Sequence, residues 1–159
     1  TRCFQKNEFK YETLCDLYSL ISVSQSIIYC NSRRIVEILS RRLTNDDFSV
    51  AMIHGDMPQK ERNKIMDDFR NGVNRVLIST DLLSRGIDIQ QISLVINYEL
   101  PVHRENYIHR IGRSGRWGRK GIAINFTTKH DGARLRHFEQ YYNTQIVEMP
   151  ADWTKHLNP

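Results

Sequence analysis

The 159-residue chain has three cysteines, Cys3, Cys15 and Cys30, an odd number without CxxC spacing. That argues against a disulfide framework or a zinc ribbon, and the three read as free thiols filling a core in a reducing compartment. The six histidines form no metal-ligand pattern with them, so no metal site is expected. No apolar run reaches the length of a bilayer-spanning helix, and no signal-peptide pattern opens the chain. A GxxxxGK[ST] phosphate loop is missing. Repeats, low-complexity tracts and linkers are missing too, so a single domain over 1–159 is expected, long enough for a sizeable core. The chain opens on Thr1 rather than methionine and reads as an excised fragment. Its ends, 1–8 and 150–159, are expected to be loosely held.

What is present is an unusual concentration of positive charge. Residues 104–120 hold Arg104, Arg110, Arg113, Arg116, Arg119 and Lys120 against Glu105 alone, which equals the +5 net charge of the whole chain. Within this window His109-Arg110-Ile111-Gly112-Arg113-Ser114-Gly115-Arg116 spaces arginines three apart with glycines between. Glycine lets a backbone come close to a ligand, and arginine grips phosphate with a planar fork. A basic run is commonly only a solvated helix face. The interleaved glycines and apolar flanks fit that plain reading poorly and favour a site that meets concentrated negative charge.

Hydrophobic periodicity gives an alternating pattern. Tyr11, Leu14, Leu17, Tyr18 and Ile21 mark one helical stripe, and Ile35, Ile38 and Leu39 a second. A third helix carries Ile65, Met66 and Phe69, with Pro58 in its first turn and Gly72 as its stop. Residues 104–111 read as helical, and Leu135, Phe138 and Tyr142 stripe a last helix. Ser26–Cys30, Phe48–Ile53, Arg75–Ser79, Leu94–Tyr98 and Gly121–Phe126 read as strands. The fold class is α/β, a parallel sheet with helices on both faces.

In open sheets of this kind, ligands sit at the carboxyl ends of the strands. The polar motifs fall there: Asn31-Ser32-Arg33-Arg34, His54-Gly55-Asp56, Thr80-Asp81 and Arg85-Gly86-Ile87-Asp88. Ser32 or Asp56 taken alone is better read as a helix cap. Several such groups converging on one edge with the arginine run make a binding edge.

These segments together resemble the second RecA-like domain of the DEAD-box ATP-dependent RNA helicases. Ile27–Arg33 (IIYCNSR), the HGD with Gln59-Lys60-Glu61-Arg62, Ser79–Asp88 (STDLLSRGID) and His109–Arg116 (HRIGRSGR) occur in the family's order across nearly the whole chain. Asp88–Tyr98, Glu105–Arg113 and Asn143–Pro150 look most like the initiation-factor-4A group. Ser114 leans to the exon-junction branch; Leu82-Leu83 and Tyr11–Tyr18 lean to the translation branch. Ser84 and Trp117 depart from the residues usual at their positions. The family's phosphate loop and Asp-Glu-Ala-Asp tetrad belong to its first domain, so the resemblance implies half of an ATPase whose site forms between two domains.

The resemblance implies a role for each motif residue. Arg113 and Arg116 are the arginine fingers at the γ-phosphate of ATP, whose Mg²⁺ is held mainly by the other, N-terminal RecA-like domain. Asp88 accepts a hydrogen bond from the ribose, and Gly86 leaves the backbone room beside the nucleotide. His109 couples the domains or is a satisfied, partly buried histidine; Trp117 lies near the adenine or simply packs. Asn31, Arg33, Gly55, Arg62 and Thr80 form an RNA face that meets phosphates and 2′-hydroxyls without regard to base sequence. For Arg62 the plain alternative is an ion pair with Glu61 or Asp56, and for Asp88 one with Arg85. The expected protein is a cytoplasmic, monomeric, RNA-stimulated ATPase of translation initiation, with a helical-repeat scaffold as partner and no membrane. The isolated domain is expected to be inactive. The other readings are a scaffold-docking module, an exon-junction-type RNA clamp in the nucleus, and a DNA helicase domain.

Overall fold

A computed structural model of the chain describes residues 2–4, 7–21, 25–81, 92–111, 121–150, 152 and 155. Six strands, β1 (Arg2–Phe4), β2 (Ser26–Tyr29), β3 (Val50–Ile53), β4 (Val76–Ser79), β5 (Leu94–Asn97) and β6 (Ile122–Thr128), form one sheet. Their order is β1-β6-β5-β2-β4-β3, and every pairing is parallel. Among the described residues five helices connect and cover them: α1 (Asn7–Leu20), α2 (Arg33–Asn45), α3 (Gln59–Arg70), α4 (Arg104–Ile111) and α5 (Gly132–Tyr141). The expected α/β architecture with helices on both faces is what the chain adopts. Among the described residues no helix is long and apolar enough to cross a membrane.

Successive strand residues point to opposite faces, so a strand buried on both sides is apolar throughout. Ile28, Ile78, Ile96 and Ile124 face one way and pack with Leu14 and Leu17 of α1 and Val36, Leu39 and Leu43 of α2. Ile27, Leu77 and Val95 face the other way and pack with Met66 and Phe69 of α3. On that second side Tyr107 of α4 reaches the sheet through its hydroxyl, which accepts from Asn125 of β6, and packs with Phe138 of α5. Among the described residues α1 and α2 thus cover one face and α3, α4 and α5 the other.

The helix ends follow from single residues. Ser32 caps α2 through its Oγ, which accepts from Ile35 N. Gly72, at φ +77°, closes α3. There Gly72 N donates to Phe69 O at 3.1 Å and Val73 N to Asp68 O at 2.9 Å, the paired bonds of a Schellman motif. Asp47 closes α2 the same way at φ 66°, with Phe48 N donating to Leu43 O. Phe48 is therefore spent on the helix end, and β3 starts at Val50 rather than at the expected Phe48. Pro58 stands at the N-cap of α3, one position before the expected first turn. Tyr142 is the C-cap of α5, and Ile21 follows the end of α1.

One expectation is overturned. The described residues of the amino-terminal segment are tied into the fold: Arg2, Cys3 and Phe4 pair with Phe126, Thr127 and Thr128, and α1 already begins at Asn7. A three-residue edge strand is too short to show a hydrophobic period, and its partner lies more than a hundred residues away. The same pairing carries β6 on to Thr128, past the expected Phe126. Residues 150–159 lie almost wholly outside the described residues.

Two glycines should respond oppositely to an added methyl. Among the described residues, a Cβ at either Gly55 or Gly72 meets nothing within 4 Å, but of the two only Gly72 has a left-handed φ. Gly72→Ala should cost about 1 kcal/mol through backbone strain alone. Gly55→Ala should stay within about 0.5 kcal/mol of the parent. Urea unfolding of both variants checks this, and equal losses would contradict it.

Candidate functional site

The carboxyl ends of β2, β4 and β3 lie side by side at one level, since Tyr29 pairs with Ser79 and Ser79 with Ile53. The residues that follow these three therefore leave the sheet along one edge. Asn31, Thr80 and Gly55 are among them, so three of the sequence-derived candidates share that edge. Arg33 is the first residue of α2, two positions after Asn31, and Arg62 lies one turn into α3.

Each of the five has a defined setting. The Asn31 side chain is already engaged: Oδ1 accepts from Arg110 Nη2 at 2.7 Å, and Nδ2 donates to Leu100 O at 3.0 Å. Its backbone N–H donates to Glu99 Oε1 at 3.0 Å. Arg33 is exposed and pairs with Asp56, and its Nε lies 3.7 Å from Glu37 Oε1. Glu37 also meets Nε2 of the buried His54 at 3.3 Å. Asp56 is thus held by Arg33 rather than capping α3. Gly55 is exposed in the turn after β3, and nothing among the described residues requires a glycine there. Thr80 accepts at its carbonyl from Ser79 Oγ at 2.7 Å. The Arg62 guanidinium donates from Nη2 to Gln59 Oε1 at 2.7 Å, while its buried Nε has no partner among the described residues. The ion pair with Glu61 or Asp56 weighed for Arg62 does not form among the described residues.

The basic run divides. Arg110 is not part of a phosphate-gripping surface: it is fully buried, with 0% exposure, whereas Ile108 two residues earlier is 43% exposed. Its Nε and Nη2 form a two-point pair with the Asp81 carboxylate, the Nη2 bond at 2.9 Å. Nη1 donates to Glu99 O at 2.8 Å and to Asn97 Oδ1 at 3.3 Å, and Nη2 also to Asn31. The Tyr29 ring lies 5.4 Å from the guanidinium carbon. Hydropathy alone hid this residue, but helical spacing could have found it. Arg110 sits three residues after the buried Tyr107, on the inward stripe of α4. Arg104 instead lies outside, 3.9 Å over the Tyr141 ring. His109 is half-buried in α4, and its Nδ1 is buried without a partner among the described residues.

Burial also tunes the groups beside this node. Desolvation pulls the Lys10 ammonium below its usual pKa although Asp131 and Glu99 oppose the shift, and Lys10 donates to Tyr98 O at 3.0 Å. It pushes the Tyr98 hydroxyl up to about 12 and raises the Cys30 thiol, which stays protonated and inert as a core filler. Gly86, Asp88, Arg113, Arg116 and Trp117 lie outside the described residues, as does Arg85.

The described residues thus form an α/β domain with a parallel sheet and a polar carboxyl edge, and in the sequence the arginine run follows α4. The family described as "Helicase conserved C-terminal domain" matches residues 9–118. The chain belongs to that family and, within it, to the C-terminal domains of DEAD-box proteins. It is 60% identical over 146 residues to "Eukaryotic initiation factor 4A" of Caenorhabditis elegans, covering 92% of this chain and 36% of that protein. It is 61% identical over 148 residues to "ATP-dependent RNA helicase fal1" of Sclerotinia sclerotiorum, covering 93% and 37%. The chain thus spans under two fifths of the length of these curated relatives. Among solved structures it resembles S. cerevisiae Dbp5 bound to RNA and ADP BeF3, with TM-score 0.87 and 36% identity over 96% of this chain and 41% of that one. The separately solved C-terminal domain of the DEAD-box protein Dbp5 matches at TM-score 0.83 and 36% identity, over 97% of this chain and 89% of that one.

Removing Asp81 should test the node. Asp81→Ala leaves a fully buried guanidinium without its counter-charge, and breaking such a pair costs on the order of 3–5 kcal/mol. A fall of that size in chemical denaturation is expected, and a loss below about 1 kcal/mol would mean the pair behaves like a surface ion pair.

Proposed function

We propose that this chain is the second half of an ATP-dependent RNA helicase, an RNA-stimulated ATPase whose active cleft forms against an upstream RecA-like domain. The observation that carries the reading is the single level at which Asn31, Thr80 and Gly55 leave β2, β4 and β3, with Arg33 opening α2 and Arg62 one turn into α3. These five offer short polar groups, an unobstructed turn and two cations, with no aromatic side chain to stack on bases. Such a set meets phosphates and 2′-hydroxyls and carries little base information. The buried Arg62 Nε, without a partner among the described residues, is a donor that an incoming phosphate oxygen would satisfy after a small side-chain shift.

The donor set for ATP is chemically apt. Two arginines of fixed charge suit a triphosphate, a carboxylate suits a ribose hydroxyl, and a glycine suits close approach of a backbone. Bound ATP supplies the γ-phosphoryl group, whose transfer to water asks of the protein mainly positioning and charge stabilisation. Arg113 and Arg116 neutralise charge there, Asp88 and Gly86 hold the nucleoside end, and His109 couples the two domains. Mg²⁺ is held mainly by the upstream domain. Closure of the two halves on ATP and RNA bends one strand out of duplex geometry, and hydrolysis releases it.

Within the family we place the protein in translation initiation, as a cytoplasmic monomer that docks on a helical-repeat scaffold. The initiation-factor-4A likeness of residues 88–98, 105–113 and 143–150 supports this reading. The equal identity to fal1 proteins, together with Ser114, supports an exon-junction-type clamp as the second reading. Copurification of the full-length protein separates them: an initiation scaffold supports the first, exon-junction components the second.

Two outcomes test the enzyme reading. The isolated chain should show no appreciable ATP hydrolysis. In the full-length protein Arg113→Ala or Arg116→Ala should cut single-turnover hydrolysis at saturating ATP and RNA by about 10³ or more, with Arg→Lys also poorly tolerated. Near-normal rates in both alanine variants would remove the finger roles. For RNA, Arg62→Ala should weaken binding by a similar factor on several single-stranded sequences and lower the salt slope by about one. A loss confined to one sequence would contradict backbone recognition.

A further inference from the structure

Lys10 stands four residues before Leu14 and seven before Leu17, on the inward stripe of α1, a position that apolar residues normally fill. It is only 4% exposed. An ammonium carries three donors, and among the described residues this one uses a single donor, on Tyr98 O at 3.0 Å. The Tyr98 ring centroid lies 5.8 Å from Nζ. None of the described carboxylates touches the ammonium: Asp131 and Glu99 act on it from further away, and desolvation outweighs both. A buried charge normally has a counter-charge in contact and its donors occupied. Lys10 has neither.

Beside it lies a cavity of about 150 Å³ between α1, α2 and the end of β5. Ile35 and Leu39 of α2, with Tyr98, supply its apolar lining, and Lys10, Arg42 and Glu99 its charge. An apolar cavity of about this size holds one benzene ring in a small protein. Here the lining adds a buried cation with donors to spare. The other charged groups are already engaged. Glu99 Oε1 accepts from Asn31 N–H at 3.0 Å, and the Arg42 guanidinium lies 3.8 Å over the Tyr11 ring. Glu8 also lines the cavity but is exposed to water. A counter-ion for Lys10 must therefore come from outside the described chain.

We propose that this cavity is a binding site for a small aromatic carboxylate of about benzoate size, whose ring takes the apolar space beside α2 and Tyr98 and whose carboxylate meets the Lys10 ammonium. The two halves of the recognition are separable. The ring needs only the apolar walls, whereas the carboxylate needs the Lys10 donors. Methionine at position 10 keeps the length of the side chain and removes the charge and the donors. Ile38 belongs to the same lining and is 38% exposed, so a larger side chain there fills the space without entering the core. Neither RNA nor ATP takes part.

The test titrates the full-length protein with benzoate, benzylamine and toluene, reads the methyl resonances of Ile35 and Ile38 by NMR, and runs thermal melts alongside. Benzoate should shift both methyls saturably with Kd about 1 mM or tighter, well inside the affinity a ligand of that size can reach. Benzylamine, with the opposite charge, should bind at least about tenfold more weakly, because a hydrogen bond to a charged group is worth roughly 1.5–3 kcal/mol. Lys10→Met should lose about tenfold or more for benzoate and keep toluene within about threefold, by the same magnitude. Ile38→Trp should abolish the response to both. If Lys10→Met loses its cooperative melt, Ile38→Trp and the benzoate–benzylamine contrast decide. Three results would overturn the proposal: no saturable shift of these methyls by benzoate, equal binding of benzylamine, or benzoate affinity unchanged in the folded variants.

Discussion

The carboxyl edge of the sheet is organised around one buried cation. A guanidinium out of water is tolerable only when every N–H finds an acceptor and the charge finds a counter-charge. Arg110 meets both conditions by drawing on Asn31, Asp81, Asn97 and Glu99 together. The requirement runs in both directions: those four residues cannot relax independently while the guanidinium stays buried. The loops after β2, β4 and β5 are consequently held in one arrangement by a group from outside the sheet. The Asn97 amide extends the arrangement by donating to Asn125 of β6 at 2.8 Å, and Asn125 donates on to Tyr107 of the same helix as Arg110.

The exposed side of the edge is held differently. Arg33, Asp56, Glu37 and His54 form a chain of polar contacts in which Arg33 and Asp56 are largely in water. Exposed pairs of this kind contribute roughly 0–1 kcal/mol. Arg33 can therefore exchange Asp56 for a phosphate at small cost, whereas the Arg110 node cannot exchange anything without leaving a buried charge unpaired. The edge combines a stiff interior with a surface whose partners are readily replaced.

Most of the fold was legible because its signals are local. The apolar pairs Ile27-Ile28, Leu77-Ile78 and Val95-Ile96 mark strands buried on both faces. Gly72 and Ser32 mark helix ends by their own backbone and side-chain chemistry. The edge residues were legible by recurrence, since a polar group followed each apolar run. What was not legible is non-local. The strand Arg2–Phe4 exists because β6 offers it a ladder at Phe126–Thr128, and three residues cannot advertise that. Arg110 looked like one more member of a cationic surface because its acceptors are scattered from Asn31 to Glu99 along the chain. Net charge sums residues without regard to where each one points, so five units of positive charge overstated the cationic face by this buried member.

The short first strand has a mechanical side. Asn125, Asn97, Tyr29, Ser79 and Ile53 stand at one level across the sheet. Arg2 pairs with Phe126, so β1 lies wholly beyond that level, on the side of the polar edge. It is three strand spacings from β2, roughly 14 Å. Any chain joined ahead of Arg2 is thus anchored beside the edge rather than at the far end of the sheet. For a body carried on that tether, encounter with the edge is intramolecular, and its local concentration there depends on the length and stiffness of the tether before any contact is made.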